Sequence, residues 1–310
     1  MGTANAVPPW PPLLALYVHG CEASSSLVQT TRALLRALGA PRVSNWVGEP
    51  YNKNQWGWPA ECNETAHAHA LGVRLNCLHR LAAADASTYV FKVNTALFES
   101  PQARFLLDAY RKLAVPVLVY ARESALQLLA CCVRDCFNTQ TGGEKFATLV
   151  DAAGRPMPLC RRFNNSYRGM RGPADAVRAS VEAGSRVRLV TNDSAAVCAR
   201  LNALRASRSL GRRSAFLRIH GMDAAPAPAS FEQLLLDANA SRRAAAWRVW
   251  LSHGVPAVAA FPPSRAEAII AHALPPVRPS ACSNVWAHYE SPAAVRALAR
   301  EGGCVDAVAT

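Results

Sequence analysis

Short apolar runs alternate along the first half of the chain with stretches whose apolar residues recur at helical spacing. The run LLALYV at 13–18 predicts a buried parallel strand, and the spacing over 26–38 predicts the helix that follows it. The same rhythm predicts helices at 66–84, 101–114 and 123–136, with strands at 87–93 and 115–121 between them. Strands joined through helices pair in parallel, so this half predicts an α/β sheet.

Two segments interrupt the rhythm. Residues 40–65 are rich in Pro, Gly, Asn and Trp and predict an ordered aromatic loop, while residues 138–172 read as an insertion with a hairpin in ATLVDAAGRPMPLC. Beyond them the pattern predicts helices at 174–183, 193–206, 229–238, 241–252 and 264–273, and strands at 186–191, 215–220 and 255–260. We expect one domain over 1–310, with a mostly parallel central sheet between two layers of helices.

Composition and charge narrow the classes of partner. The chain has 310 residues, 51% of them hydrophobic, and a formal net charge of +13 that comes mainly from arginine, which favours an anionic ligand. It contains no long basic block and no zinc-finger or RNA-binding pattern, so we expect no nucleic-acid partner. The run at 13–18 is too short to cross a bilayer, so we expect no membrane segment in this chain.

The sequence is compatible with two cellular compartments. No basic start precedes an apolar core at the N-terminus, which predicts a cytoplasmic protein, or one of the Golgi lumen if an anchor precedes this chain. The ten cysteines lack the spacing of a disulfide scaffold, so most are expected to be small buried hydrophobes. Four Asn-x-Ser/Thr sequons would permit glycosylation in a secretory compartment; they begin at Asn63, Asn164, Asn192 and Asn239.

A small-residue loop lies between the first predicted strand and its helix, where a phosphate-binding turn belongs. Backbone N–H groups at a helix N-terminus bind anions, and small side chains let a phosphate approach. The alternative is a Ser-rich cap of the helix, and the lack of Gly-Lys-Ser/Thr argues against a nucleotide triphosphatase. The loop comprises Gly20, Cys21, Glu22, Ala23, Ser24, Ser25, Ser26 and Leu27.

A second candidate for binding an anionic ligand is Arg122, which follows the predicted strand 115–121. Ligands of open α/β sheets bind outside the carboxyl ends of the strands, so Arg122 is expected to face the same crevice as the serine loop. The alternative for a single arginine at a strand end is a surface charge. The two features together favour a site for an anionic ligand.

The order of these motifs resembles that of the sulfotransferases that use 3′-phosphoadenosine 5′-phosphosulfate (PAPS). The similar segments are GCEASSSL at 20–27, YARESALQLLACC at 120–132, FEQLLLDANASRRAAAWRVWLSHGV at 231–255 and RPSACSNVWAHYESPAAVRAL at 278–298. The resemblance implies a P-loop fold in which Ser24, Ser25, Ser26 and the loop amides hold the phosphosulfate and Arg122 holds the 3′-phosphate. It further implies transfer of a sulfuryl group to a hydroxyl or amine of a carbohydrate or small molecule, without a metal.

The chain departs from that family at three positions. Ala23 stands where the family has Lys or Arg, Ala130 where it has Ser, and Asn94 where many members have a His base. Lys92 is the candidate for the missing cation, and its alternative is a solvated lysine at a strand end. Ser124 or Cys131 would replace the donor lost at Ala130.

Proton removal from the acceptor needs a base. His19 and Glu22 are the candidates by position, and the alternative for His19 is a hydrogen-bonded core histidine. A degenerate sulfotransferase-like protein that binds a nucleotide or an anionic glycan without turnover is the alternative function. A nucleotide-sugar glycosyltransferase is disfavoured because the chain has no Asp-x-Asp motif.

Three further sequence features each have a functional and a structural interpretation. His67 and His69 point apart on a predicted helix, which disfavours a metal site there. The aromatic loop either stacks on an acceptor or packs as a cover; it holds Trp46, Tyr51, Trp56 and Trp58. The basic connector either raises the local concentration of an anion or is a solvated charge run; it holds Arg200, Arg205, Arg208, Arg212 and Arg213.

Overall fold

The computed structural model describes two compact units, each formed from two stretches of the chain. The first is 1–121 with 208–277, and the second is 122–207 with 278–310. The described residues within them are 10–18, 24–44, 60–62, 70–94, 103–122, 147–156, 184–190, 193–222, 229–277 and 289–303. Within those ranges no helix combines the length and apolarity needed to span a bilayer.

The first unit is built on a four-stranded parallel sheet. Its strands are β1 (Leu13–Val18), β2 (Arg42–Val43), β3 (Ser87–Asn94) and β4 (Val117–Val119), in the order β2-β3-β1-β4. All six side chains of β1 are at most 2% exposed, as a central strand covered on both faces requires. The α/β class and the strands predicted at 13–18, 87–93 and 115–121 are thus confirmed, the last with fewer paired residues.

Helices connect and cover the strands of the first unit. Those of its first stretch are α1 (Ser24–Ala37), α2 (Ala70–Ala84) and α3 (Ala103–Lys112), which confirm three predicted helices. α1 packs against β3, and α2 packs against α3. α1 is followed by Gly39 with φ +95°, the left-handed conformation that ends helices and that glycine adopts without strain.

The described residues of the second unit form two strands and two helices. β5 (Ala147–Val150) and β6 (Arg186–Leu189) pair antiparallel in a sheet of their own. The helices are α4 (Ser194–Arg208) and α9 (Pro292–Glu301). Of the strand predicted at 186–191, residues 186–189 form a strand, but it pairs with β5 and not with the parallel sheet.

Two strands predicted in the later part of the first unit are helices. Residues 215–220 lie in α5 (Leu210–Ile219), which begins because the hydroxyl of Ser209 accepts a hydrogen bond from the N–H of Arg212. Residues 255–260 form the short helix α7 (Pro256–Ala259), with proline in its first turn. The predicted helices near them are confirmed as α6 (Ala240–Ser252) and α8 (Pro263–Ala273), whereas 232–236 adopts a π-helical turn.

The cysteines differ from the sequence-based expectation. Cys62 ends a 3-10 turn at Ala60–Cys62 and is bonded to Cys77 of α2, with 5.6 Å between the two Cα atoms. Cys198 also takes part in a disulfide. The spacing of the ten cysteines did not predict pairing because Cys62 and Cys77 meet only once α2 packs beside that turn.

Candidate functional site

The carboxyl edge of the parallel sheet is the place where the strand order changes direction. From β1 the chain runs to β2 and β3 on one side of the sheet and then to β4 on the other side. Ligands of open α/β sheets bind at such a point, outside the carboxyl ends of the strands. β1 ends at Val18 and α1 begins at Ser24, so only residues 19–23 join them at this edge.

The predicted serine loop lies partly outside the described residues. This applies to His19, Gly20, Cys21, Glu22 and Ala23, and to the side chains of Ser24 and Ser25, whose backbone opens α1. Ser26 is exposed, whereas Leu27 is fully buried and its carbonyl accepts a hydrogen bond from the Thr31 hydroxyl at 2.8 Å. The helix therefore begins inside the serine run, as both the phosphate-binding and the capping interpretations require.

Lys92 lies on β3, two residues before the strand ends, and is half-buried. It stands opposite Leu16 of β1. Its neighbour Phe91 stacks on Tyr110 of α3 with 6.3 Å between the ring centroids. Because side chains alternate along a strand, Lys92 points to the face of the sheet away from α3.

Arg213 of α5 is the cation that sequence reasoning misplaced. Its side chain is 1% exposed, its Nη1 donates a hydrogen bond to the carbonyl of Tyr120, and its guanidinium lies 5.5 Å from the centre of the Tyr17 ring. The expectation of a solvated charge run is wrong for this residue, although it holds for the exposed Arg212. The Ser209 cap, which starts α5, is the signal that would have placed Arg213 on a helix.

Lys92 and Arg213 lie near the same edge of the sheet but on opposite faces. Tyr17, which Arg213 covers, follows Leu16 in β1, and Leu16 is the partner of Lys92. Alternation along β1 therefore separates the two cations by the thickness of the sheet. They flank the carboxyl end of the central strand from both sides.

Arg122 follows β4 by three residues and has a fully buried side chain. The alternative interpretation of this arginine as a surface charge is thus excluded. Ser124, Ala130 and Cys131 lie outside the described residues. Arg122 is also the first residue of the second unit.

The segment at 231–255, which carries part of the family resemblance, contacts the end of β4. The indole Nε1 of Trp250 donates a hydrogen bond to the Val119 carbonyl at 2.6 Å, and the Phe231 N–H donates to the Ala121 carbonyl at 2.9 Å. The rings of Trp250 and Tyr120 meet edge to face, 6.4 Å apart. These contacts fix the backbone that leads to Arg122.

Arg32 of α1 adds to the positive potential of the first unit. It is buried, and its Nη2 donates to the Val90 carbonyl of β3 at 2.7 Å. Burial, followed by the charge of Arg36, lowers the pKa of Arg32 to about 10. The side chain is still a cation at neutral pH, in surroundings where an anion would be favourable.

A cavity of about 450 Å³ lies at the other edge of the sheet. It is open to solvent, and its lining includes Arg36, Arg42, Asp85, Ser87 and Tyr89, at the ends of α1 and α2 and the beginnings of β2 and β3. No sequence pattern predicted this cavity. Its position at the amino ends of the strands separates it from the candidate site.

The remaining predicted features lie outside the described residues. These are His67, His69, the four aromatic residues of the 40–65 loop, the side chain of Asn94, and the side chains of Arg200, Arg205 and Arg208. Within the described part of the chain, no three His, Cys, Asp or Glu side chains cluster as metal ligands do.

No protein-family model, curated protein or solved structure significantly matches this chain. Only the residues of the chain itself therefore bear on its function. They combine a helix that begins in a serine run, a central strand at a switch point, and cations on both faces of the sheet.

Proposed function

We propose that this chain is a PAPS-dependent sulfotransferase that modifies a hydroxyl or amine of a carbohydrate or small molecule. The observation that carries the proposal is the position of the serine run. It opens α1 directly after the central strand β1, at the switch point of a parallel sheet. That is where the backbone amides of a helix N-terminus receive a phosphate group.

The proposal includes a three-layer fold with a P-loop-like turn at 20–27. The crossovers from β1 to β2 and from β3 to β4 run in opposite directions across the sheet. Right-handed crossovers then put α1 and α3 on opposite faces. Packing of α1 on α8 and of α2 on α3 supports two separate helical layers.

The proposed reaction is an in-line displacement at sulfur. The acceptor oxygen or nitrogen bonds to the sulfuryl sulfur while the bond to the bridging phosphate oxygen breaks, and 3′,5′-adenosine bisphosphate leaves. The acceptor proton passes to a base, for which His19 is the candidate. Lys92 would neutralise the charge on the oxygens of the sulfuryl group, and the serine loop and Arg122 would hold the two phosphate ends of the donor.

Arg213 has a different role in this proposal. Its Nη1 donates to the Tyr120 carbonyl and its guanidinium covers the Tyr17 ring, so this side chain is engaged in fixing the backbone at the end of β4. Its charge raises the potential at the carboxyl edge without a bond to the ligand. It is therefore a positioning residue.

The first test is calorimetric titration with 3′,5′-adenosine bisphosphate, and AMP and ATP serve as controls. A donor site predicts selective binding of the bisphosphate that is lost in Arg122→Ala, provided that circular dichroism shows the variant folded. Equal affinity for all three nucleotides, or no binding by the folded wild type, would contradict the proposal.

Lys92→Gln separates the role of Lys92 from donor binding in general. PAPS carries the sulfuryl group and the bisphosphate does not, so the variant should weaken PAPS about tenfold or more and leave bisphosphate affinity nearly unchanged. The matched control is Arg42→Gln, which removes one charge at the exposed opposite edge of the same sheet. If Lys92→Gln weakens both ligands equally, or if Arg42→Gln weakens PAPS by the same factor, Lys92 contributes only to the overall positive potential and does not contact the sulfuryl group.

Turnover distinguishes an enzyme from a degenerate binding protein. A screen of carbohydrate and small-molecule acceptors with labelled PAPS should transfer label to at least one acceptor class. Selective bisphosphate binding with no transfer to any acceptor would favour the degenerate alternative, for which the substitutions at Ala23 and Ala130 are the sequence observations.

A further inference from the structure

We infer that Asn239 is a site of N-linked glycosylation and that this chain folds in the secretory pathway. The sequon Asn239-Ala240-Ser241 lies where the chain enters α6. Asn239, Ala240, Ser241 and the following Arg242 are all exposed. A glycan attached there projects into solvent without displacing the core.

The cap geometry of Asn239 is compatible with a glycan. The side-chain oxygen of Asn239 accepts a hydrogen bond from the Arg242 N–H at 3.0 Å, which caps α6. Glycosylation takes place on the side-chain nitrogen, Nδ2, and leaves the oxygen free to accept. The same asparagine can therefore cap the helix and carry a sugar.

Residues on either side of the sequon hold Asn239 in an extended backbone conformation. Asn239 has φ −77° and ψ 107°, and its N–H donates to the Asp237 carboxylate at 2.8 Å. The same carboxylate accepts two hydrogen bonds from the Arg242 guanidinium, each at 3.1 Å. These contacts point the asparagine side chain outward, away from the buried Arg243 and Ala244.

The disulfides supply the independent observation. Cys62 is bonded to Cys77, and Cys198 takes part in another disulfide. Structural disulfides form and persist in oxidising compartments such as the lumen of the endoplasmic reticulum, where N-glycans are attached. The sequon and the disulfides thus indicate the same compartment by different chemistry.

The sugar donor for N-glycosylation of Asn239 is a lipid-linked oligosaccharide pyrophosphate. Nδ2 of Asn239 bonds to the anomeric carbon of the first sugar, the bond from that carbon to the pyrophosphate oxygen breaks, and the pyrophosphate leaves with the electron pair. Nδ2 releases one proton. The hydroxyl of Ser241 completes the acceptor tripeptide.

The test is expression of the full chain behind a cleavable signal peptide in a eukaryotic secretory cell. Trypsin releases residues 219–242 as one peptide that holds the Asn239 sequon and none of the other three. We expect this peptide to carry a glycan that a peptide N-glycanase removes in heavy-oxygen water, because hydrolysis of the glycosylated side-chain amide converts Asn239 to a labelled Asp. Mass spectrometry of the peptide measures the occupied fraction.

Three variants separate the glycan from the helix cap. Asn239→Asp keeps an oxygen to cap α6 and should lose the glycan, and Ser241→Ala should lose it while Asn239 stays in place. Ser241→Thr preserves the sequon and should keep it. An unmodified 219–242 peptide from secreted wild type with an intact Cys62–Cys77 bond would overturn the inference, as would a glycan that survives in Ser241→Ala.

Discussion

Arg213 shows how a charged side chain becomes part of a protein interior. Removing a guanidinium from water is costly unless its donors are used and its charge is balanced. Here one nitrogen donates to a backbone carbonyl and the planar group covers the Tyr17 ring, a favourable arrangement for a cation over an aromatic face. The sequence reveals the arginine but not this burial, because basic residues on a short helix show no periodicity that marks one of them as internal.

Substitution by alanine is expected to change the free energy of unfolding in opposite directions at two glycines, Gly254 and Gly211. At Gly254 an added Cβ would lie 3.0 Å from Cδ2 of Leu118 and 3.2 Å from Cδ1 of Leu14, inside the core. Gly254→Ala should therefore lower the free energy of unfolding by about 1–3 kcal/mol through overpacking. Urea unfolding measures the change.

Gly211 is the matched control, because it lies in α5 and an added Cβ would meet no heavy atom within 4 Å. Gly211→Ala should raise the free energy of unfolding by up to about 1 kcal/mol, since alanine favours the helix. If Gly254→Ala raises the free energy of unfolding as Gly211→Ala does, packing at Gly254 is looser than its contacts indicate.

The elements that the sequence predicted well are those whose pattern is long or fully apolar. β1 is a continuous buried strand, β3 spans eight residues that include the buried Val90, Phe91 and Val93, and α1 spans 14 residues with a clear apolar face. The two misassigned strands are short, and in each the start signal of the helix decided the structure: the Ser209 cap in α5 and Pro256 in α7. An apolar run of six residues fits a strand or a helix equally well, so only such a signal separates the two.

The turn after β5 allows a pKa prediction. Oδ1 of Asp151 accepts hydrogen bonds from the N–H groups of Ala153 and Arg155, and Oδ2 accepts one from the Arg155 guanidinium. These bonds, with the Arg155 N–H as the largest cause, lower the pKa of Asp151 below its ordinary value of 3.8. Arg155→Gln should raise this pKa only in part, because the backbone bonds stay.

Glu290 is the contrasting case in the same unit. Its pKa lies below the ordinary 4.5 mainly because the Arg188 side chain donates to it. Arg188→Gln should therefore return the pKa of Glu290 nearly to its ordinary value. NMR of the carboxyl carbon resonances as a function of pH measures both pKa values. If loss of the arginine raised the pKa of Asp151 and of Glu290 equally, the different causes given for the two shifts would be wrong.

The sign of the pH effect follows from these shifts. Both carboxylates have folded-state pKa values below their unfolded values, so the folded protein binds fewer protons than the unfolded chain. Their contribution to stability is complete above pH 3.8 for Asp151 and above pH 4.5 for Glu290. It is lost as the pH falls through each folded-state value.

The organisation of the whole chain was predictable only in its first part. The α/β rhythm revealed the parallel sheet because each strand there is followed by a helix. Nothing in the pattern of β6 distinguishes a strand of that sheet from one that pairs antiparallel with β5 in a second unit. The strand β1, the helix that opens in the serine run and the strand before Arg122 were predicted, whereas the burial of Arg122 and Arg213 was not. The donor site at these residues stays a prediction.

The Cys62–Cys77 disulfide connects the architecture of the first unit to the compartment in which it folds. It joins residues 15 positions apart and ties the 3-10 turn to α2. A bond that closes a loop of this length restricts the unfolded chain and stabilises the fold by about 3 kcal/mol. Cys62→Ala, Cys77→Ala and the double variant should each lose about this amount, because each removes the same bond.

Guanidinium unfolding without reductant measures this loss, and tryptophan fluorescence reports on the first unit through the buried Trp247 and Trp250. The wild type treated with a thiol should unfold at lower denaturant concentration, whereas the double variant should respond less, since only bonds such as that of Cys198 remain. Equal stability of wild type and double variant would mean that the bond adds nothing to the fold. Support for folding in an oxidising compartment would then come from the disulfide of Cys198 and the glycan at Asn239.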